Sequence, residues 1–192
     1  VATDALLCIR DTFSERFWDE HGGNELSNIY NADETSIYYG MSPTKIWAET
    51  GESAEIEASQ KHSMRISAVL SIRADGNKLL ILFILKAEEN GTVEKNELKL
   101  LSPGHFYLVQ PNAWMDAHVW HLFFLQMLRY DIESPLVVLV DNLDCHVSAS
   151  SKAIVVRKLH STLCPLPPNT TYVCQPLDVG VMDPLKQKLR SQ

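Results

Sequence analysis

MRISAVLSI (residues 64–72) and LLILFILK (residues 79–86) are β-rich runs separated by RADGNK. Asp75-Gly76 stands at the centre of that turn, and glycine supplies the positive φ that a tight hairpin needs. The pair predicts an antiparallel hairpin, so the chain must build a sheet and find cover for it. The other segments are read around that commitment.

Upstream, ALLCIRDTFSERFW places Leu6, Ile9, Phe13 and Phe17 near helical spacing with Arg and Glu between them, which predicts a helix with one buried face. Gly22-Gly23 stops it. SNIYNADETSIYYG then alternates around Ile29 and predicts a strand reaching Asp33. MSPTKIWAETGESAEIEAS, with Pro, Gly and scattered acids, reads as a surface excursion.

Downstream, HFYLVQ predicts a further strand, and Asn112 is placed to cap a helix through AWMDAHVWHLFFLQMLRY. The aromatic stripe of that helix, with Trp114 and Trp120, reads as core. SPLVVLVD predicts a buried strand and SASSKAIVVRKLH a helix begun by Ser148. STLCPLPPNTTYVCQPLD is too Pro-rich for a long helix, and DVGVMDPLKQKLR closes with one. Antiparallel strands followed by alternating helix and strand imply an α/β fold, a mixed sheet flanked by helices.

At 192 residues the chain fits a single domain spanning 1–192. Its longest apolar run, LLILFIL, is far short of the roughly 18 residues of a membrane span, so no membrane partner is expected. No signal peptide pattern opens the sequence. The start on Val1 and the helical close KQKLRSQ suggest a piece of a longer chain. Cys8, Cys145, Cys164 and Cys174 contain no CxxC pair and read as reduced thiols of an intracellular protein. The net charge of -7 argues against a chain devoted to wrapping nucleic acid. Residues 141–192, however, carry +2. An anionic partner would approach that third, or be met through bound cations.

The chemistry concentrates where PLVVLVD runs into Asp141. In open α/β sheets the ligand crevice lies beyond the carboxyl ends of the parallel strands. A carboxylate at the lip of a buried strand is costly to desolvate unless a cation or several donors meet it. A hard divalent ion such as Mg²⁺ is one solution; an Asx-type turn, common for Asp-Asn, is the other. Asp33, near the end of the first strand, and Asp178, at the start of the last helix, are further candidates. Strand alternation forbids Asp33 and Glu34 from entering one pocket together, and Asp33 is preferred. Glu34, Asp144 and Asp183 read as solvated or capping acids. Asn142 and His146 either orient a metal-bound water or contact the backbone of an anionic partner, or instead make the turn and close the next helix's start. Gln175 lies in a rigid Pro-rich loop that it helps to shape.

NADET, LVDNLDCH and LPPNTTYVCQPLDVGVMDPLK, in this order, resemble the catalytic domain of pogo/Tigger-type transposases of the DDE superfamily, whose relatives include centromere protein B and jerky-like proteins. The resemblance covers nearly the whole chain, and RISAVLSIRADGNKLLILFILK matches the family's hairpin. It implies an RNase H-like sheet, and a catalytic, metal-binding trio at Asp33, Asp141 and Asp178. It implies two Mg²⁺ or Mn²⁺ ions serving in-line displacement at phosphorus. The implied partners are transposon-end and target DNA, with a homo-oligomer in the full-length protein and action in the nucleus. Asn142, His146 and Gln175 would support the site, and Lys152, Arg157, Lys186, Lys188 and Arg190 are either phosphate contacts or members of solvated helix faces. The family's N-terminal helix-turn-helix part is missing from this sequence. The rival expectation is a domesticated, catalytically idle module that associates with nucleic acid or protein.

Overall fold

A computed structural model of the chain describes residues 3–38 and 65–191. The expected surface excursion at residues 41–59 lies outside them. Six strands form one mixed sheet in the order β4-β3-β2-β1-β5-β6. They are β1 (Ile29–Tyr38), β2 (Arg65–Arg73), β3 (Leu82–Lys86), β4 (Phe106–Gln110), β5 (Val137–Val140) and β6 (Thr162–Pro165). β2 runs antiparallel to both β1 and β3, whereas β1–β5, β5–β6 and β3–β4 pair in parallel. Five strands therefore end at the same edge of the sheet.

The hairpin forms as read. Gly76 N–H donates to Arg73 O and Arg73 N–H to Asn77 O, with Gly76 at φ 90°. This is a three-residue loop whose last member sits in the left-handed region. Ile72 pairs with Lys78 but Val69 with Leu82, so the third strand carries one extra residue, a bulge. The parallel β3–β4 pair departs from the antiparallel run expected. A helical crossover, Val93–Glu97 followed by Leu98–Leu100, lies between these strands and makes the parallel direction possible.

Helices cover both faces. On one face Tyr30, Ala32, Val69, Val138 and Val140 pack against Trp120, Phe123, Phe124 and Leu128 of a helical stretch built from α2 (Ala117–Leu122), a π segment (Phe123–Leu128) and α3 (Arg129–Asp131). The short α4 (Asp144–Val147) and α5 (Ala149–Lys158), capped by Ser148, complete that layer. On the other face α1 (Thr3–His21) sets Phe13 and Phe17 against Ile29, Val137 and Leu139. There α6 (Thr171–Cys174), α7 (Pro176–Gly180) and α8 (Met182–Arg190) follow, with Leu177 and Met182 packed on Leu70. The final helix read from sequence is thus two helices that break at Val181.

Three local expectations are corrected. Ile9 is 40% exposed because it lies roughly 60° around α1 from Leu6, at the flank of the buried stripe. The helix after β4 starts at Ala117, capped by Asp116, whose side chain accepts from Val119 N–H. Asn112 cannot cap it, because Ala113 sits at φ 55° and Gln110 Oε1 takes the N–H groups of Asn112 and Trp114. Trp114 is consequently 59% exposed, beside the Arg65 guanidinium, and is no part of the core.

Candidate active site

β1 does not end at Asp33. It continues to Tyr38, since Glu34 to Tyr38 pair with the start of β2, from Val69 back to Arg65. Asp33 is therefore a mid-strand residue, 6% exposed. It still stands beyond the last β1–β5 pair. Those strands pair with an offset of 108 residues, as in Asn31 with Leu139. Carried two residues further, the same register brings Asp141, the residue that follows β5, to the side of Asp33, and the two charges feel each other.

Alternation along β1 then divides the polar residues. Asn31 and Asp33 face the layer of α1 and α6 to α8, while Glu34 faces that of α2, α4 and α5. Asn31 is buried and makes three hydrogen bonds. Its amide donates to Leu139 O (3.1 Å) and to Gln175 Oε1 (2.5 Å), and its oxygen accepts from Leu177 N–H (3.0 Å). This clamp fixes α7, and with it Asp178, onto β1. Gln175, fully buried, shapes its loop by holding that clamp. Asn31 was overlooked as a site residue, although its i, i+2 spacing from Asp33 puts both on one face.

Burial is the main cause that pushes the Asp33 carboxyl up to about 8, and the charges of Glu34, Asp178 and Asp141 add to it. The one bond that opposes them is from Glu34 N–H to Asp33 Oδ1. Burial also raises Asp178; Lys186 pulls it back while Asp141 and Asp183 push it up. The three carboxylates thus share one electrostatic neighbourhood. Burial would raise Asp141 as well, but bonds from His146 and Leu143 N–H outweigh it and hold Asp141 low.

Both readings of Asp141 find support. Its Oδ1 accepts from Leu143 N–H at 3.0 Å, an Asx turn, and lies 2.5 Å from His146 Nδ1. No described residue donates to Oδ2. Asn142 turns away and donates to Leu166 O, a tie to the end of β6 that leaves it little freedom to orient a water. His146 is fully buried and in contact with Asp141. Glu34 is neither a solvated nor a capping acid. Its Oε2 is buried without a hydrogen bond and faces His146 Nε2 at 3.5 Å.

The donor set suits a hard cation: carboxylate oxygens, one of them buried with no positive group among the described residues to offset it. Among the described residues, no three His, Cys, Asp or Glu side chains stand together as a ready-made metal cage. The basic candidates divide between faces. Lys186, Lys188 and Arg190 lie on α8, on the side of Asp33 and Asp178, whereas Lys152 and Arg157 are exposed on α5, on the opposite side. No helix among the described residues is long and apolar enough to cross a membrane.

Residues 63–192 match the family model described as DDE superfamily endonuclease. The fold is also that of solved Mos1 structures. The Mos1 transposase paired-end complex with left transposon end is 10% identical at a TM-score of 0.63, covering 98% of this chain and 50% of that one. The Mos1 mariner paired end complex with Mn is 12% identical at 0.62, covering 100% and 51%. The catalytic domain of Mos1 mariner transposase is 11% identical at 0.51, covering 100% and 74%. These likenesses show a shared RNase H-like α/β architecture. This chain spans about half the length of the chains in the paired-end complexes.

Proposed function

The chain belongs to the DDE superfamily of endonucleases, and from that premise we propose that it is the catalytic domain of a transposon-derived transposase, of the pogo/Tigger type, that cleaves DNA and joins the freed end to a target. The observation that carries the reading is Asp33. A carboxylate 6% exposed, with no cation offsetting it among the described residues and two further acids in electrostatic reach, costs stability that only a use for its charge explains.

In this reading Asp33, Asp141 and Asp178 hold two Mg²⁺ or Mn²⁺ ions. When bound, such a pair activates a nucleophile and stabilises the leaving oxygen of an in-line displacement at phosphorus. The protein's own contribution is positional. Asp33 is fixed by the strand and by its bond from Glu34 N–H. Asp141 commits Oδ1 to Leu143 and His146 and keeps Oδ2 for the site. Asp178 arrives on α7, held by the Asn31 clamp. Lys186, beside Asp178, and the exposed Lys188 and Arg190 offer phosphate contacts on the same side. Lys152 and Arg157 would meet only DNA that wraps to the other face. The Mos1 transposase paired-end complex with left transposon end supports transposon ends as a partner, and target DNA follows from the proposed joining step. A homo-oligomer of the full-length protein, acting in the nucleus, completes the proposal.

One observation favours a second reading, a domesticated and idle module: the described residues contain no ready-made metal cage. Calorimetric titration of Mg²⁺ and Mn²⁺ into the wild type and Asp141→Asn separates the two. Saturable binding that the variant loses is expected. No binding, or equal binding by both, rejects the catalytic reading in favour of the idle module.

A further inference from the structure

Glu34 follows Asp33 directly, yet alternation sends its side chain to the other face of the sheet. There it meets His146, a ring with no solvent exposure, packed 4.1 Å centroid to centroid on Trp120. The two ring nitrogens are shared between two acids. Nδ1 lies 2.5 Å from Asp141 Oδ1, and Nε2 lies 3.5 Å from Glu34 Oε2. Apart from each other, Nε2 and Oε2 have no partner among the described residues, although both are buried. The ring is packed against Trp120 at a tilt of 39°, with a carboxylate at each nitrogen.

We infer that Glu34 is a positioning residue of the proposed metal site: through the buried ring of His146 it fixes the orientation of Asp141, so that Oδ1 stays committed and Oδ2 stays open to an ion. One strand thereby serves the site twice, directly through Asp33 on one face and through Glu34 and His146 on the other. Asp141, at the lip of the sheet, is the point where the two faces meet. This rests on the catalytic reading given above.

The test titrates Mn²⁺ alone, by calorimetry, into the wild type, Glu34→Leu, His146→Phe and the double variant. Leu keeps volume without an acceptor, and Phe keeps a ring on Trp120 without nitrogens. Each single variant is expected to weaken binding by roughly tenfold or more, as for other groups that orient a metal ligand. The double variant should be no weaker than His146→Phe, and Glu34→Gln, whose amide oxygen can still face Nε2, should recover most of the affinity. If Glu34→Leu costs a further tenfold in the His146→Phe background, Glu34 acts on the ion itself and the inference is overturned. It is overturned equally if Glu34→Leu binds Mn²⁺ like the wild type while Asp33→Asn and Asp141→Asn do not; the catalytic reading then survives. A metal-free readout stands beside these. In ¹⁵N-histidine-labelled protein, Glu34→Leu should shift the His146 Nδ1 resonance, although Glu34 faces only Nε2. An unmoved resonance overturns the coupling even if the wild type binds no ion, an outcome that rejects the catalytic reading separately.

Discussion

Replacing Asp33 by Asn should make the metal-free protein more stable at neutral pH. The folded carboxyl is pushed up to about 8 by burial and neighbouring acids, against an ordinary value of 3.8 in an unfolded chain. Between those two values the folded state holds more protons than the unfolded one, so stability falls as pH rises. The penalty is absent below about 4, grows by about 1.4 kcal/mol per pH unit and is complete near 8. At pH 7 it amounts to about 4 kcal/mol, a large part of the roughly 5–15 kcal/mol that holds a domain together. Asn removes the charge, while its amide oxygen can still accept from Glu34 N–H. Urea unfolding in EDTA, followed by tryptophan fluorescence, should show the variant ahead by a few kcal/mol at pH 7, with the gap closing as pH approaches 4. Mn²⁺ should then stabilise the wild type but not the variant. A variant no more stable than the wild type at pH 7, or a gap that stays constant from pH 5 to 8, would refute the reasoning.

Three other outcomes are expected. Asn31→Ala should cost about 1–3 kcal/mol in urea unfolding, since it strands Gln175 Oε1 and Leu177 N–H in the interior, and should speed hydrogen exchange in α6 and α7; a change confined to α1 would contradict the clamp. Asp116→Ala should cost about 1 kcal/mol by the same method, whereas Asn112→Ala should be close to neutral, and the reverse order would restore Asn112 as the cap. Cys145, whose thiol is pushed up to about 12 by burial and by Glu34, should resist iodoacetamide at pH 8 long after the exposed Cys8 is alkylated; equal labelling in peptide mass spectra would disprove this.

Local signals were legible in the sequence wherever the physics is local. Gly76 fixed the hairpin, Ser148 the start of α5, Gly22 the end of α1, and the aliphatic run before Asp141 announced a buried strand. What escaped depended on partners distant in sequence. The strand expected to reach Asp33 runs on to Tyr38 because Thr35 to Tyr38 pair with β2, which lies far along the chain. The register that brings Asp141 to the side of Asp33 is a property of two strands and is written in neither. Asn112 looked like a helix cap because a side chain competent to cap says nothing about Gln110, which claims the local amides. Glu34 passed for a solvated acid because its company, His146 and Trp120, comes from two other elements. Alternation alone did separate Glu34 from Asp33, but not what Glu34 meets on its own side.

The Asn31 clamp also sets how the site can move. Asp33 rides on β1 and Asp141 directly follows β5, so the parallel pairing of those two strands governs their spacing. Asp178 rides on a five-residue helix, entered through extended Gln175 and left at the Val181 break, and bonds to Asn31 together with the packing of Leu177 on Leu70 fasten it to the sheet. The arrangement is a vice with one fixed jaw and one hinged jaw. Releasing the hinge costs those hydrogen bonds and the packing of Leu177 and Met182 on Leu70, not the sheet itself, so opening this jaw is a local event that leaves the strands paired. The proposed reaction, in which one DNA end leaves and another enters at the same place, calls for a jaw of that kind.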